Sequence, residues 1–177
     1  MVRLARTAAA ILLAVAGSVA ALATPAQAAV IDASCVPPSY NVTAFNPPLT
    51  TVLAPTTLTY KTTYRPCTSQ TSNLSYGFTN ITVNMNDQCQ MVLQTFVMTY
   101  TIHWNNGQSS TIQATRTASI SGSTLTVTLS GQVIGGLFTG SRSFEQQVGS
   151  AVDLQNCLAG ISRLSSTTGK VTLRIWH

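Results

Sequence analysis

The stretch from Met98 to Val148 alternates apolar and polar residues in runs that short breaks separate. In the first run every second position is apolar, and these positions are Met98, Tyr100, Ile102 and Trp104. A period of two is typical of a β-strand with one buried face. Breaks at residues 105–107 and 121–123 are followed by further alternating runs. The pattern therefore predicts consecutive antiparallel strands joined by tight turns.

The length of the first loop decides which strand faces meet, because a one-residue slip turns every side chain over. A three-residue loop over residues 105–107, with its final glycine in the left-handed region, pairs Tyr100 with Ile112 and Met98 with Ala114. A two-residue turn would instead set the apolar face of one strand against a polar face. We therefore predict the three-residue loop.

The second break favours a shorter loop by the same criterion. A two-residue turn at residues 122–123 pairs Ile120 with Leu125 and Ala118 with Val127. Both loop assignments put one apolar face on the same side of the sheet. This agreement between turn chemistry and pattern supports the predicted register.

The outer face in this register carries hydroxyl and amide side chains in rows across three strands. The predicted binding surface consists of Thr95, Thr99, Gln113, Thr115, Thr117, Thr128, Ser130 and Gln132. Polar groups repeated at strand spacing can hydrogen-bond a regular polymer such as a polysaccharide. The alternative is a solvated sheet face rich in strand-forming threonine.

The remaining runs bring the total to about ten short strands, with no convincing helix. The apolar positions change from even to odd numbers near Thr79-Asn80, which predicts a bulge or bend of the kind that strands make between packed sheets. Phe144 and Val148 continue the even-numbered inner face. The predicted fold is an all-β, antiparallel two-sheet sandwich, with a closed β-barrel as the alternative.

Residues 1–28 have the features of a secretory signal peptide. Arg3 and Arg6 precede an apolar run, and Ala26-Gln27-Ala28 fits a cleavage site. The run is too short for a good membrane span, and a retained amphipathic helix is the alternative. Cleavage leaves residues 29–177 as a single secreted domain, for which we expect no integral membrane segment.

The charge of this domain is small and scattered. Without Arg3 and Arg6, seven Lys and Arg residues face four acidic ones, a net charge of +3. The basic residues never cluster, so we expect no nucleic-acid partner. The domain has 25 Thr and 17 Ser residues, a composition that favours strands over helices.

Four cysteines in an exported chain predict two disulfides. Three connectivities are possible, and we favour Cys35–Cys67 with Cys89–Cys157, because each bridge then joins segments that can lie together in an antiparallel sheet. Zinc ligation would require cysteines two to four residues apart, which the sequence lacks. No cofactor is expected.

Several segments resemble small secreted actinobacterial proteins of unknown function. They are the order of the cysteines, the turn Trp104-Asn105-Asn106-Gly107-Gln108, the stretch Gly135-Gly136-Leu137-Phe138, and the ending Gly169-Lys170-Val171-Thr172-Leu173. The resemblance implies export and a disulfide-bonded β domain, and it implies no activity.

Candidate catalytic residues are few. Among the acids, Asp32 falls in the predicted N-terminal tail of the mature chain and Asp87 fits a turn. Glu145 and Asp153 are the remaining pair for carboxylate chemistry, and the alternative for them is two solvated charges. His103 lies on a polar strand face and no Gly-x-Ser-x-Gly motif accompanies it, so no serine triad is indicated. We expect no catalytic residues and no enzyme.

Arg116 is the one charged residue that the register places on the apolar face, between Phe96 and Leu129. It can snorkel to the margin of the sheet or form a buried ion pair with Glu145 or Asp153. The third interpretation is an arginine that binds an anion in a cleft.

The sequence thus predicts a non-catalytic extracellular β module that binds a polymer, a protein or a cell surface, so a glycan or a protein is the expected kind of ligand. The alternative is a secreted enzyme inhibitor that presents the loop Gly135–Gly140 to its target, with Leu137 and Phe138 as protruding anchors.

Overall fold

A computed structural model describes residues 29–177, and the predicted signal peptide lies outside this range. Residues 29–177 form ten strands and two short helices. The strands are β1 (Ile31–Cys35), β2 (Tyr40–Leu49), β3 (Ala54–Tyr64), β4 (Cys67–Thr68), β5 (Gly77–Asp87), β6 (Phe96–Trp104), β7 (Ser109–Ser121), β8 (Thr124–Gly136), β9 (Arg142–Ser150) and β10 (Leu164–Trp176). A 3-10 helix spans Cys89–Leu93, and the α-helix α1 spans Val152–Leu158. None of the helices in residues 29–177 is long and apolar enough to cross a membrane.

Eight of the strands close into an antiparallel barrel. They follow one another in the order β2-β3-β5-β6-β7-β8-β9-β10, and β10 pairs back onto β2, for example Thr167 with Thr43. Strand β1 pairs with β10 outside this ring, and β4 pairs with β1. The all-β prediction is confirmed and the two-sheet sandwich is not, because one continuous sheet joins its own first and last strands. Alternation within strands is the same in both architectures, so the sequence pattern does not distinguish them.

The register predicted for the meander is confirmed. Tyr100 pairs with Ile112 and Ala118 with Val127, as the two loop lengths require. Gly107 has φ of 81° and Gly122 has φ of 57°, a region that glycine enters without steric cost. The turn residues were therefore sufficient to predict the register of three of the eight barrel strands, β6, β7 and β8.

The bulge or bend predicted near Thr79-Asn80 is wrong. Strand β5 pairs with β3 without interruption, from Tyr64 opposite Gly77 to Ala54 opposite Asp87. The apparent change of phase arises because Leu74 precedes the strand, while the aromatic residues that follow it face solvent. The change of phase was therefore predicted because the outward-facing aromatic residues Tyr76 and Phe78 were assigned to the inner face.

Strand β9 has the opposite orientation to the one expected. Phe144 is half-buried and Val148 is exposed, whereas Ser143, Glu145 and Gln147 are buried and point into the barrel. The inner face of β9 is therefore polar. The apolar pattern misassigns it because alternation assumes an apolar interior.

Both disulfides have the predicted connectivity. Cys35 and Cys67 are directly opposite each other on the paired strands β1 and β4. The second bridge, Cys89–Cys157, joins the 3-10 helix to α1 rather than two strands of the sheet. The pairing was right, but the expected geometry holds only for the first bridge.

One half of the barrel is filled by large side chains. Tyr64, Ile102, Trp104 and Ile112 are buried there, and a Cβ atom on Gly77 would lie 2.6 Å from Cε3 of Trp104. Glycine at this position lets the indole lie directly against β5. The other half of the barrel is hollow.

Candidate functional site

The hollow half contains a cavity of about 470 Å³. Its nineteen lining residues come from all eight barrel strands and from the 3-10 helix with the residues after it. The apolar ones are Phe45, Leu58, Ile81, Val83, Met85, Met91, Val92, Phe96, Met98, Val127 and Leu129. The polar ones are Thr43, Tyr60, Asp87, Gln94, Thr99, Arg116, Gln147 and Thr167. An apolar wall with a few polar groups is typical of a small-molecule site.

The cavity opens where β5 and β6 separate. These strands pair only at Gly77–Trp104 and Phe78–His103, and beyond that point the side-chain hydroxyl of Thr79 bridges to the carbonyl of Thr101 at 2.8 Å. Residues 88–95, which we refer to as the strap, connect the separated strand ends. The opening exposes three apolar side chains of the cavity wall, namely Val83 at 42%, Met85 at 38% and Phe96 at 46%.

A larger depression of about 540 Å³ lies outside the barrel, along β2, β3 and β5. Only eight residues line it, and most of them, including Asn46, Asn84 and Asn86, are exposed. No charged side chain belongs to its lining. The interior cavity, which all eight barrel strands surround, is the better enclosed site.

A polar cluster separates the cavity from the packed half of the barrel. Its centre is the fully buried carboxylate of Glu145, and its other members are Tyr60, Tyr64, Tyr100 and Gln147. The Tyr64 hydroxyl donates to Glu145 Oε2 at 2.7 Å, and the Tyr100 hydroxyl donates to the same oxygen at 3.3 Å. Glu145 Oε1 accepts from Gln147 Nε2 at 2.7 Å and from Tyr60 at 3.2 Å. Four donors thus converge on one buried acid.

Tyr60 and Gln147 also line the cavity, so they cover Glu145 from that side. Gln147 Nε2 donates to the Tyr60 hydroxyl at 2.6 Å as well as to Glu145. Both contacts use the amide nitrogen, which fixes the orientation of the amide group. The floor of the cavity is therefore formed by two polar side chains, Tyr60 and Gln147, that hydrogen-bond to each other and to Glu145.

Burial sets the protonation of this cluster. Desolvation raises the pKa of Glu145, although hydrogen bonds from Gln147 and the tyrosines act in the opposite direction. Desolvation, and then the charge of Glu145, raises the pKa of all three tyrosines well above the ordinary value. The phenols remain protonated at neutral pH and act as donors. The buried hydroxyl of Ser143, also on the inner face of β9, has no hydrogen-bond partner within residues 29–177.

Arg116 lies at the cavity wall next to the strap. Its Nη1 donates to the carbonyl of Gln94 at 3.1 Å and its Nη2 donates to the carbonyl of Val92 at 3.0 Å. The guanidinium also lies 5.3 Å from the ring centroid of Phe96, within the range of a cation–π contact. The position between Phe96 and Leu129 is confirmed.

Of the three interpretations given for Arg116, the buried ion pair with Glu145 or Asp153 is wrong. Across residues 29–177, the sole contact within 4.0 Å between a basic and an acidic side chain is that of His177 with Asp32. Glu145 is bound by tyrosines and Gln147 instead, and Asp153 is exposed on α1. Desolvation lowers the pKa of Arg116, and the nearby groups Tyr60 and Asp87 raise it; the guanidinium keeps its charge at neutral pH.

Asp87 is the acid that lines the cavity. It ends β5, is 5% exposed, and accepts a hydrogen bond from the backbone N–H of Gln88 at 2.7 Å. Desolvation raises its pKa, while that hydrogen bond and the charge of Arg116 lower it. The sequence assigned Asp87 to a turn, whereas in the structure it is the last residue of β5 and part of the cavity wall.

The other candidate residues are distributed over the molecule. Glu145 and Asp153 do not form a site together, and solvated charge describes only Asp153. His103 is exposed and stacks on Phe78, with ring centroids 5.3 Å apart. Asp32 lies in β1 rather than in a tail, and accepts from the Ser141 hydroxyl at 2.7 Å. No cluster of three metal-ligating side chains occurs within residues 29–177.

The predicted outer surface has the expected rows. Thr117 lies opposite Thr128, and Thr115 lies opposite Ser130. Gln113 lies opposite both Thr99 and Gln132. Thr95, however, precedes β6 and belongs to the strap, and the exposed Thr99 also contributes to the cavity lining. The hydroxyls of Thr117 and Thr128 hydrogen-bond to each other at 2.6 Å. Some hydroxyl groups of this face therefore hydrogen-bond to each other across the strands. Polymer binding by this face stays a prediction.

The loop predicted as an inhibitory element is packed against the barrel. Leu137 and Phe138 are half-buried, and Phe138 lies edge-on to Trp104 with ring centroids 6.4 Å apart. The Ser110 hydroxyl donates to the carbonyl of Leu137 at 2.6 Å. The two apolar residues serve as part of the core at this end of the barrel and do not protrude as anchors.

Comparison of the chain with protein-family models, with curated proteins and with solved structures finds no match in any of the three. The site is therefore interpreted from its own geometry.

Proposed function

We propose that this protein is a secreted, non-catalytic binding module whose ligand is a small, largely apolar molecule held in the barrel cavity. The observation that carries the proposal is the cavity of about 470 Å³, lined mainly by apolar side chains and open to solvent between β5 and β6. Its size is within the range of sites that enclose most of a small ligand. Secretion is supported by the sequence of residues 1–28 and by the two disulfides.

The composition of the wall favours binding through the hydrophobic effect. Val83, Met85 and Phe96 expose apolar surface to solvent in the free protein, and a ligand that covers them removes that surface from water. Each buried methylene of the ligand contributes about 0.8 kcal/mol, which corresponds to about fourfold in affinity. Affinity should therefore rise with chain length until the cavity is full.

The binding test uses a neutral apolar fluorophore, N-phenyl-1-naphthylamine, and two tryptophan variants on the same strand. Val83→Trp places an indole in the opening, whereas Thr82→Trp places it on the outer face of β5. We expect wild type and Thr82→Trp to bind the fluorophore alike, and Val83→Trp to bind at least tenfold more weakly. Equal binding by both variants, or the absence of binding to wild type, would contradict the proposal.

The inhibitor alternative is weaker, because Leu137 and Phe138 pack inward. We likewise favour a small molecule over the polymer or protein ligand expected from the sequence, since the enclosed apolar wall suits a molecule that enters the barrel.

A further inference from the structure

Arg116 is the sole lysine or arginine among the cavity-lining residues of the described chain. An arginine side chain has five N–H donors, and two of them are used by the carbonyls of Val92 and Gln94. Three donors remain. The two carbonyls and the Phe96 ring hold the guanidinium in place, so a ligand that binds it does not have to immobilise a flexible side chain.

The acids around Arg116 leave its charge without a close partner. No carboxylate of residues 29–177 lies within 4.0 Å of the guanidinium. Glu145 is enclosed by three tyrosines and Gln147, and Asp87 is bound to the backbone of Gln88. A half-buried cation with no carboxylate in contact with it is costly, and a ligand that supplies a negative charge at the guanidinium reduces this cost.

We propose that Arg116 binds the carboxylate of an otherwise apolar ligand, such as a medium-chain fatty acid, in the barrel cavity. The proposal rests on the proposed function and names the chemical class of its ligand. The planar guanidinium matches the two oxygens of a carboxylate, and the apolar chain extends along the wall formed by residues such as Leu129, Val127 and Leu58.

An ammonium or a hydroxyl at the same end fits less well. An ammonium would meet the charge of Arg116. Of the two buried acids, Asp87 lines the cavity but already accepts from the backbone N–H of Gln88, and Glu145 is covered by Tyr60 and Gln147. A hydroxyl can accept one hydrogen bond from the guanidinium, but it supplies no negative charge and lacks the second oxygen of a bidentate pair. The site should therefore rank ligands of equal chain length by head group.

The test measures displacement of N-phenyl-1-naphthylamine at pH 8 by decanoate, 1-decanol and decylamine. We expect decanoate to bind wild type at least tenfold more tightly than 1-decanol, with decylamine weakest. In Arg116→Gln, decanoate should lose this advantage and 1-decanol should bind within about threefold of its wild-type affinity. Arg116→Lys keeps the charge and should retain part of the preference. Lys61→Gln, which removes an exposed cation beside Tyr60 on the outer face of β3, should change nothing.

The outcomes separate the two proposals. If 1-decanol binds but decanoate binds no more tightly to wild type, the role of Arg116 is overturned and the cavity remains a ligand site. If Arg116→Gln keeps the full preference for decanoate, the role of Arg116 is likewise overturned. If the fluorophore does not bind to wild type, both proposals fail. If it binds and none of the three compounds displaces it, the role of Arg116 is overturned. The wild-type preference decides the question even where a variant does not fold.

Discussion

At the scale of single residues, Glu145 shows how a buried acid escapes detection by sequence pattern. Its strand neighbours Phe144 and Val148 are the apolar residues of β9, yet they face outward. The interior accepts Glu145 because three tyrosines from β3 and β6 and Gln147 converge on it. A satisfied polar network is tolerated inside a protein, but its partners lie up to 85 residues apart, so the convergence is not visible in local sequence.

The raised pKa of Glu145 predicts how stability depends on pH. The folded protein holds this proton more tightly than the unfolded chain does, so the stabilisation is complete below the unfolded pKa of about 4.3 and is lost as the pH rises through the higher folded pKa. Glu145→Gln cannot ionise. Between pH 4.5 and 8, the free energy of unfolding of wild type should therefore fall relative to that of Glu145→Gln, by about 1.4 kcal/mol for each unit of pKa difference.

Urea unfolding at several pH values measures this difference. Asp153→Asn is the matched control, because Asp153 is an exposed acid on α1, and its unfolding free energy should follow that of wild type with pH. A constant difference between wild type and Glu145→Gln over the whole range would show that the carboxyl has the same pKa folded and unfolded.

At the scale of elements, the predictable parts are those that local chemistry determines. Gly107 and Gly122 fixed the register of β6, β7 and β8. The α-helix Val152–Leu158 was missed because it has seven residues, too few for a helical period to stand out, and no side-chain cap at Ala151. Its importance is tertiary, since it holds the strap through Cys157.

The two disulfides should differ in their effect on ligand binding. Their separations of 32 and 68 residues give similar losses of about 4 kcal/mol on removal, by loop-closure entropy. Only Cys89–Cys157 holds the strap, whose Val92 and Met91 line the cavity. We expect the double variant Cys89→Ser/Cys157→Ser to bind N-phenyl-1-naphthylamine at least fivefold more weakly than Cys35→Ser/Cys67→Ser. Thermal unfolding checks the stabilities, and equal binding by the two variants would argue against a role for the strap.

At the scale of the whole molecule, closure of the barrel was beyond the reach of sequence pattern. The barrel closes where β2 pairs with β10. These strands are near opposite ends of the domain sequence, and no local sequence feature indicates that they pair. The interior also contains Thr62, Thr79 and Ser143 as well as Glu145, so its inner face is only partly apolar. The cavity results from the same long-range arrangement. The one local indication of the cavity was Arg116, which the predicted register placed on an apolar face and which lines the cavity in the structure.

The division into a packed and a hollow half predicts an uneven distribution of local stability. Beyond Phe78, β5 pairs with β3 alone, whereas β8 is paired on both sides along most of its length. Backbone amides of β5 that face β6 lack strand partners and should open locally at lower cost. We therefore expect hydrogen exchange to be faster in residues 79–86 than in residues 125–132.

A ligand that binds the closed cavity stabilises it by about 2.7 kcal/mol at one hundred times its Kd. Saturating decanoate should therefore slow exchange in residues 79–86 and 96–101, while residues 109–113 change least. Mass spectrometry of exchanged peptides measures this pattern. Uniform protection by ligand would mean that exchange follows global unfolding, and fast exchange confined to the packed half would contradict the division itself.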